Sequence, residues 1–263
     1  MFYWANLRNV TIPRSCKAIY NGAFICCVYL EEFFSESPEF IVNNKVLYSK
    51  DYKFLLGYPC NCNIELLPTV IGISEAKGFS GTSFVNITIK LPLKTILSHA
   101  FRCCPNLEYA DLSCTKVTAI YNAIFYESKK LKTVILPPLL RRIDIYCFCR
   151  TNIIELIIPP GVSYIVPNAF ENTKITDIYY CGTSTFGSTF LDRTDINIHV
   201  SEYFSKSATK FLGCPIVDRT FTCPDYLCLN LIDQSFMDCP SMNSCIYSHF
   251  YPSILLYTVM IVM

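Results

Sequence analysis

Residues 131–148 read Leu131-Lys-Thr-Val-Ile-Leu-Pro-Pro-Leu-Leu-Arg-Arg-Ile-Asp-Ile-Tyr-Cys-Phe148, and residues 153–170 read Ile153-Ile-Glu-Leu-Ile-Ile-Pro-Pro-Gly-Val-Ser-Tyr-Ile-Val-Pro-Asn-Ala-Phe170. Both stretches follow one pattern. An apolar residue is followed by two more spaced two apart, then Pro, then an apolar-x-x-Ile step closed by a Phe five residues later. Working outward, the same pattern recurs at Leu107, Ala110, Leu112, Val117, Ile120 and Phe125, at Ile89, Leu91, Pro92, Leu93, Ile96 and Phe101, and at Leu7, Val10, Ile12, Pro13, Ile19 and Phe24. Phe101, Phe125, Phe148 and Phe170 stand 24, 23 and 22 residues apart. Self-similarity at such a period marks a repeat architecture.

The spacing carries its own physics. Apolar residues two apart place both on one face of a short strand, and the following Pro stops it. The Phe can plug the interior of one coil. The position three beyond it holds Cys27, Thr82, Cys104, Ser128, Thr151 and Thr173. Small side chains with a hydroxyl or thiol suit a tight bend because they bond nearby backbone. No unit buries its own apolar face, so neighbouring units must stack into a solenoid. The expected fold is a β-rich α/β solenoid of coils of about 23 residues, with short strands and short helical or irregular returns. The coil at Leu67, Pro68, Ile71 and Phe79 is slipped by one residue, with Ser74 where Ile is expected, and reads as distorted.

Composition agrees with a large core. Of 263 residues, 52% are hydrophobic, 14% aromatic and only 16% charged, which excludes intrinsic disorder. Twenty-two basic against 21 acidic residues leave +1, so the charge balance points to neither nucleic acid nor an anionic membrane. The 16 cysteines fall below the ~8–10% expected of a disulfide scaffold.

The repeats resemble the BspA-type leucine-rich repeat family, found on surface proteins of protists and some bacteria, whose unit reads roughly Leu-x-x-Ile-x-Leu-Pro-x-x-Leu-x-x-Ile-x-x-x-Ala-Phe-x-x-Cys. The resemblance covers residues 7 to about 180. Within it, residues 38–60 look like the family's inserted hairpin, with Asn43-Asn44 and Lys50-Asp51 at its turns, and 178–182 look like the terminal repeat of the protist branch. The implied organisation is a solenoid over 1–181, a capping region over 182–215 with a strand at Asn197-Ile-His-Val200, a Cys- and Pro-containing tail over 216–249, and an apolar terminus over 250–263.

The N-terminus enters the first repeat without a basic start and an apolar run, so it does not read as a secretory signal. The apolar run Ile254–Met263 is ten residues, against about 20 for a membrane span. Three readings stay open: a truncated transmembrane helix, a cleaved lipid-anchor signal, or a tail folded back on the solenoid.

No catalytic motif is found. The chain lacks Gly-x-Ser-x-Gly, a phosphate-binding Gly-rich loop and His-Glu-x-x-His, and its 9 glycines leave little material for such loops. His99, His199 and His249 are scattered, and read as solvated or edge residues. Cys60-Asn-Cys62 and Cys147-Phe-Cys149 lack zinc-knuckle spacing, so neither metal nor cofactor is implied. Cys26-Cys27 and Cys103-Cys104 share one repeat phase, which reads as buried repeat thiols with their neighbours. Cys214, Cys223, Cys228, Cys239 and Cys245 are odd in number, so disulfide pairing there leaves one over or recruits Cys181. Asn9-Val-Thr11 and Asn86-Ile-Thr88 match the glycosylation acceptor pattern.

The strand alignment defines two outward columns, Thr11, Lys90, Asp111, Ile135, Ile157 and Tyr179 beside Asn9, Thr88, Tyr109, Thr133, Glu155 and Asp177. The expected partner-binding patch is Tyr109, Asp111, Ile135, Glu155, Ile157, Asp177 and Tyr179, an apolar and aromatic centre with a charged rim. The alternative is that Ile135 and Ile157 serve strand propensity or lie under a neighbouring element. The resemblance implies a non-enzymatic surface adhesion or antigen protein, attached to the membrane through its C-terminus and binding host, matrix or other cell-surface proteins. Its alternative is a cytoplasmic leucine-rich repeat scaffold.

Overall fold

A computed structural model describes residues 2, 4–62, 65–186, 191 and 194–225. The expectations for the tail beyond residue 225 and for the apolar terminus lie outside these. The strands of the first half are β1 (Asn9–Ile12), β2 (Glu32–Ser35), β3 (Phe40–Asn43), β4 (Val46–Ser49), β5 (Phe54–Gly57), β6 (Gly72–Gly78), β7 (Asn86–Thr88), β8 (Thr95–Ile96) and β9 (Tyr109–Asp111). The second half adds β10 (Ala119–Ile120), β11 (Thr133–Ile135), β12 (Arg142–Ile143), β13 (Glu155–Ile158), β14 (Tyr164–Ile165), β15 (Asp177–Tyr180), β16 (Asn197–Val200), β17 (Lys210–Phe211) and β18 (Cys214–Asp218).

The longer strands stack in parallel as β7-β9-β11 and as β13-β15-β16-β18, with the β17 hairpin on the outer edge of β18. The short strands β10, β12 and β14 form a second parallel column. That column aligns Ile120, Ile143 and Ile165, all fully buried. The distorted coil uses Ile73, which pairs with Ile96, in place of the residue expected at 74.

Between the columns runs a ladder of rings. Phe79, Phe101, Phe125, Phe148 and Phe170 stack with centroids 5.3, 5.3, 5.8 and 5.5 Å apart and are at most 2% exposed. Burying each ring contributes about 1.5–3 kcal/mol, and offset stacking about 0.5–1.5 kcal/mol more. The hydroxyls three residues beyond bond backbone as the sequence suggests: Thr151 and Thr173 donate to the Phe148 and Phe170 carbonyls at 2.7 and 2.8 Å, and Ser128 donates across to Phe101.

The returns are not helical, which corrects the α/β class. Among the described returns the one helical turn is the 3-10 turn Pro167–Phe170. The cause is a left-handed residue every fourth position. Two residues after the ladder Phe, Cys26, Gly81, Cys103, Glu127, Arg150 and Asn172 have φ between 54° and 75°, and two residues before it Gly22, His99, Ala123 and Tyr146 have φ between 53° and 75°. Alternate amides thereby point at the next coil: Ala123, Phe125 and Glu127 donate to the Ile145, Cys147 and Cys149 carbonyls at 3.0, 2.9 and 3.1 Å. The returns are thus a third hydrogen-bonded column, and the fold is a β-solenoid.

The insertion is a meander. β3 and β4 pair antiparallel around Asn44 and Lys45, both at positive φ as a type I′ turn requires, and β5 returns to pair with β6. Cys26 and Cys103 form a disulfide with Cα atoms 5.6 Å apart, so the leading cysteine of each adjacent pair is a bridge and not merely a neighbour of the buried thiol. Gly81, on the return between them, sits where a Cβ would lie 3.3 Å from Val28.

Candidate protein-interaction face

The two strand columns assemble in part as the alignment suggests. Thr133 pairs with Tyr109 and Ile135 with Asp111, while Glu155 pairs with Asp177 and Ile157 with Tyr179. β11 packs beside β13, which places all seven expected residues on one face. The N-terminal members differ. Asn86 and Thr88, in place of Thr88 and Lys90, face Tyr109 and Asp111, and Asn9 and Thr11 lie opposite Glu32 and Phe34.

Accessibility divides the face. Tyr109, Glu155, Asp177 and Tyr179 are half-buried, whereas Ile135, Asp111 and Ile157 are 3%, 5% and 7% exposed. Over Ile157 lies a strap, residues 219–223. Phe221 packs with Ile157, Cys181 and Tyr179, and its amide donates to the Val200 carbonyl at 3.2 Å. Tyr179 is held between the His199 ring at 4.4 Å and the Phe221 ring at 5.0 Å. The Cys181–Cys223 disulfide fastens the strap, and Arg219 binds the Ser205 and Ala208 carbonyls at its start.

Beside the strap, His199 bridges two carboxylates. Its Nε2 lies 2.8 Å from Asp177 and its Nδ1 3.6 Å from Asp218, so it is neither solvated nor free at an edge. Thr176 and Asn197 also donate to Asp177. Burial acts to raise the Asp177 carboxyl, but these donors outweigh it and hold the group below its usual value. Thr220 does the same for Asp218. Glu155 is pushed up, first by burial and then by Asp177. Burial and the neighbouring carboxylates also raise the Tyr179 phenol. Further along, Asp111 accepts from the Ser113 amide at 2.9 Å.

His99 lies 3.4 Å from Glu75 on a return, and burial followed by Arg102 lowers its basicity. Lys77 is fully buried against the Ser80 carbonyl and the Cys60 sulfur. Among the described residues no group of three or more His, Cys, Asp or Glu is arranged to hold a metal, and no helix is long and apolar enough to cross a membrane.

His199, Asp218, Phe221 and Cys223 complete this face, and no repeat pattern announces them. The one signal was the odd cysteine count of the tail, which allowed Cys181 to be recruited.

Stacked parallel strands, a phenylalanine ladder and a half-open strand face define a leucine-rich repeat solenoid. The BspA-type leucine-rich repeat region matches in six copies over residues 1–54 and 72–197, and the chain belongs to that family. A search of curated proteins finds no match. Among solved structures, a leucine-rich cell surface protein from Faecalibacterium prausnitzii is similar at 25% identity and TM-score 0.58, covering 69% of this chain and 50% of its own. The pneumococcal vaccine antigen PcpA shares the fold at 17% identity and TM-score 0.54, covering 82% of this chain and 56% of its own. The chain therefore spans about half the length of each.

Proposed function

We propose that the chain is a non-enzymatic, surface-displayed adhesion or antigen module that binds proteins of other cells or the matrix through its strand face. The observation that carries this is the strand face shared by the β7-β9-β11 and β13-β15-β16-β18 sheets, where half-open Tyr109 of β9 and Glu155, Asp177 and Tyr179 of β13 and β15 lie on the same side as an apolar patch held under a disulfide-fastened strap. The accessible contact set is these four residues, with Asp111, Ile135 and Ile157 buried beside them on the same face. Family membership and the similar bacterial cell surface protein support display, as do the Cys26–Cys103 and Cys181–Cys223 disulfides, which form in oxidising compartments. Membrane attachment through residues 250–263 belongs to the same reading.

The test has two parts. Labelling of intact cells with a membrane-impermeant reagent is expected to reach the protein; complete protection overturns display. In surface plasmon resonance against extracellular-matrix proteins, the Tyr109→Ser, Glu155→Lys pair is expected to lower affinity at least about tenfold, or about 1.4 kcal/mol, with an unchanged melting curve. Unchanged affinity moves the contact to the inserted meander.

A further inference from the structure

The two acceptor triplets fall on equivalent features of the fold. Asn9-Val10-Thr11 lies on β1 and Asn86-Ile87-Thr88 on β7, and each strand pairs with one neighbour among the described residues, β2 and β9 respectively. In both triplets the Asn and Thr side chains are exposed while the central residue turns toward the core, Ile87 at 8% exposure. The Arg8 carbonyl accepts from the Glu31 and Glu32 amides and the Ile12 carbonyl from the Glu36 amide, and the Ile89 amide donates to the Asp111 carbonyl, so alternation turns the backbones of Asn9, Thr11, Asn86 and Thr88 toward the edges that no described strand pairs. Neither asparagine side chain nor either threonine hydroxyl makes a hydrogen bond among the described residues. Asn197, by contrast, is engaged with Asp177.

We propose that Asn9 and Asn86 carry N-linked oligosaccharides and that these cover the edges of β1 and β7 that no strand among the described residues pairs. The donor is a lipid-pyrophosphate-linked oligosaccharide. The asparagine Nδ2 bonds to the anomeric carbon, the bond from that carbon to the pyrophosphate oxygen breaks, the lipid pyrophosphate leaves with the electron pair, and the nitrogen loses a proton. Exposed, unpaired strand edges are templates for pairing with another chain, and a bulky hydrophilic group beside each one blocks that approach. The proposal rests on the surface-display reading, because the transfer takes place in a secretory lumen, where the disulfides also form.

The full chain, placed behind a cleavable leader and translated into microsomes, separates the two ideas. The protease-protected, disulfide-bonded fraction is expected to show two glycans, removed by a peptide amidase that leaves aspartate at positions 9 and 86. Asn9→Gln and Asn86→Gln should each delete one. A protected chain without a mobility shift overturns the acceptor assignment, whereas a glycosylated chain that stays unlabelled on intact native cells overturns display alone. Enzymatic removal of both glycans from folded protein is expected to turn a monomer into dimers or larger species by light scattering. A monomer before and after removal overturns the edge-covering role.

Discussion

Ala123 sits at φ 53°, 3% exposed, in the return before Phe125. An L-residue held left-handed costs about 1–2 kcal/mol, whereas glycine in a helix interior costs about 1 kcal/mol relative to alanine. Ala123→Gly is therefore expected to leave the urea midpoint unchanged or raise it, against the loss a helical return would suffer. Phe125→Ala, which removes one rung of the ring ladder, is expected to cost about 3–5 kcal/mol in the same experiment. The ladder itself was legible, because its spacing recurs with the repeat. The left-handed positions were not, because cysteine, histidine, alanine, glutamate, tyrosine, arginine and asparagine fill most of them, and the glycines that would betray them stand at Gly22 and Gly81.

The strap has two energetic supports that can be removed separately. Cys181–Cys223 closes a separation of 42 residues, worth about 4 kcal/mol by loop entropy. Cys223→Ser should therefore lower the melting temperature and raise binding of an apolar fluorescent dye, as Phe221 lifts from Ile157 and Tyr179. An unchanged dye signal argues that Phe221 stays seated through packing alone. The second support is electrostatic. Asp177 and Asp218 are held below the ordinary 3.8, so the stability they contribute is present above that pH and is lost as pH falls through their lowered values. Glu155 runs the other way: it is raised above 4.5, so it favours the fold below that pH, and this contribution is lost as pH rises through its raised value. In an acid titration of the intact protein, dye binding is expected to begin only below about pH 3.8, and Asp177→Asn should flatten the acid limb. The pairing of Asp111 with Ile135 and of Glu155 with Asp177 could be read from the repeats. β7 could not be registered, since Ile87 and Ile89 both fit the pattern and the chain buries Ile87 opposite Ala110. The strap was invisible because its contacts with the sheet are long-range and follow no period.

At the scale of the molecule, the solenoid was legible from its period, whereas of the helical or irregular returns expected the helical form is limited to the 3-10 turn Pro167–Phe170 among the described coils. The five-residue step from Ile to Phe is spanned by an extended return with left-handed kinks, and that spacing alone does not specify a backbone conformation. Each coil touches mainly its neighbours, so local stacking sets most of the stability. The insertion departs from this rule, since β5 and β6 splice its meander into the sheet that ends at β8. The Cys26–Cys103 bridge spans this whole region, a separation of 77 residues with Cα atoms 5.6 Å apart. Pulled from its two ends, as a tethered protein is pulled under flow, the chain would transmit load through that bridge and leave the coils and meander between its cysteines slack. About 260 Å of chain that could otherwise spool out is thereby withheld from tension, and the load falls on the coils that follow Cys103.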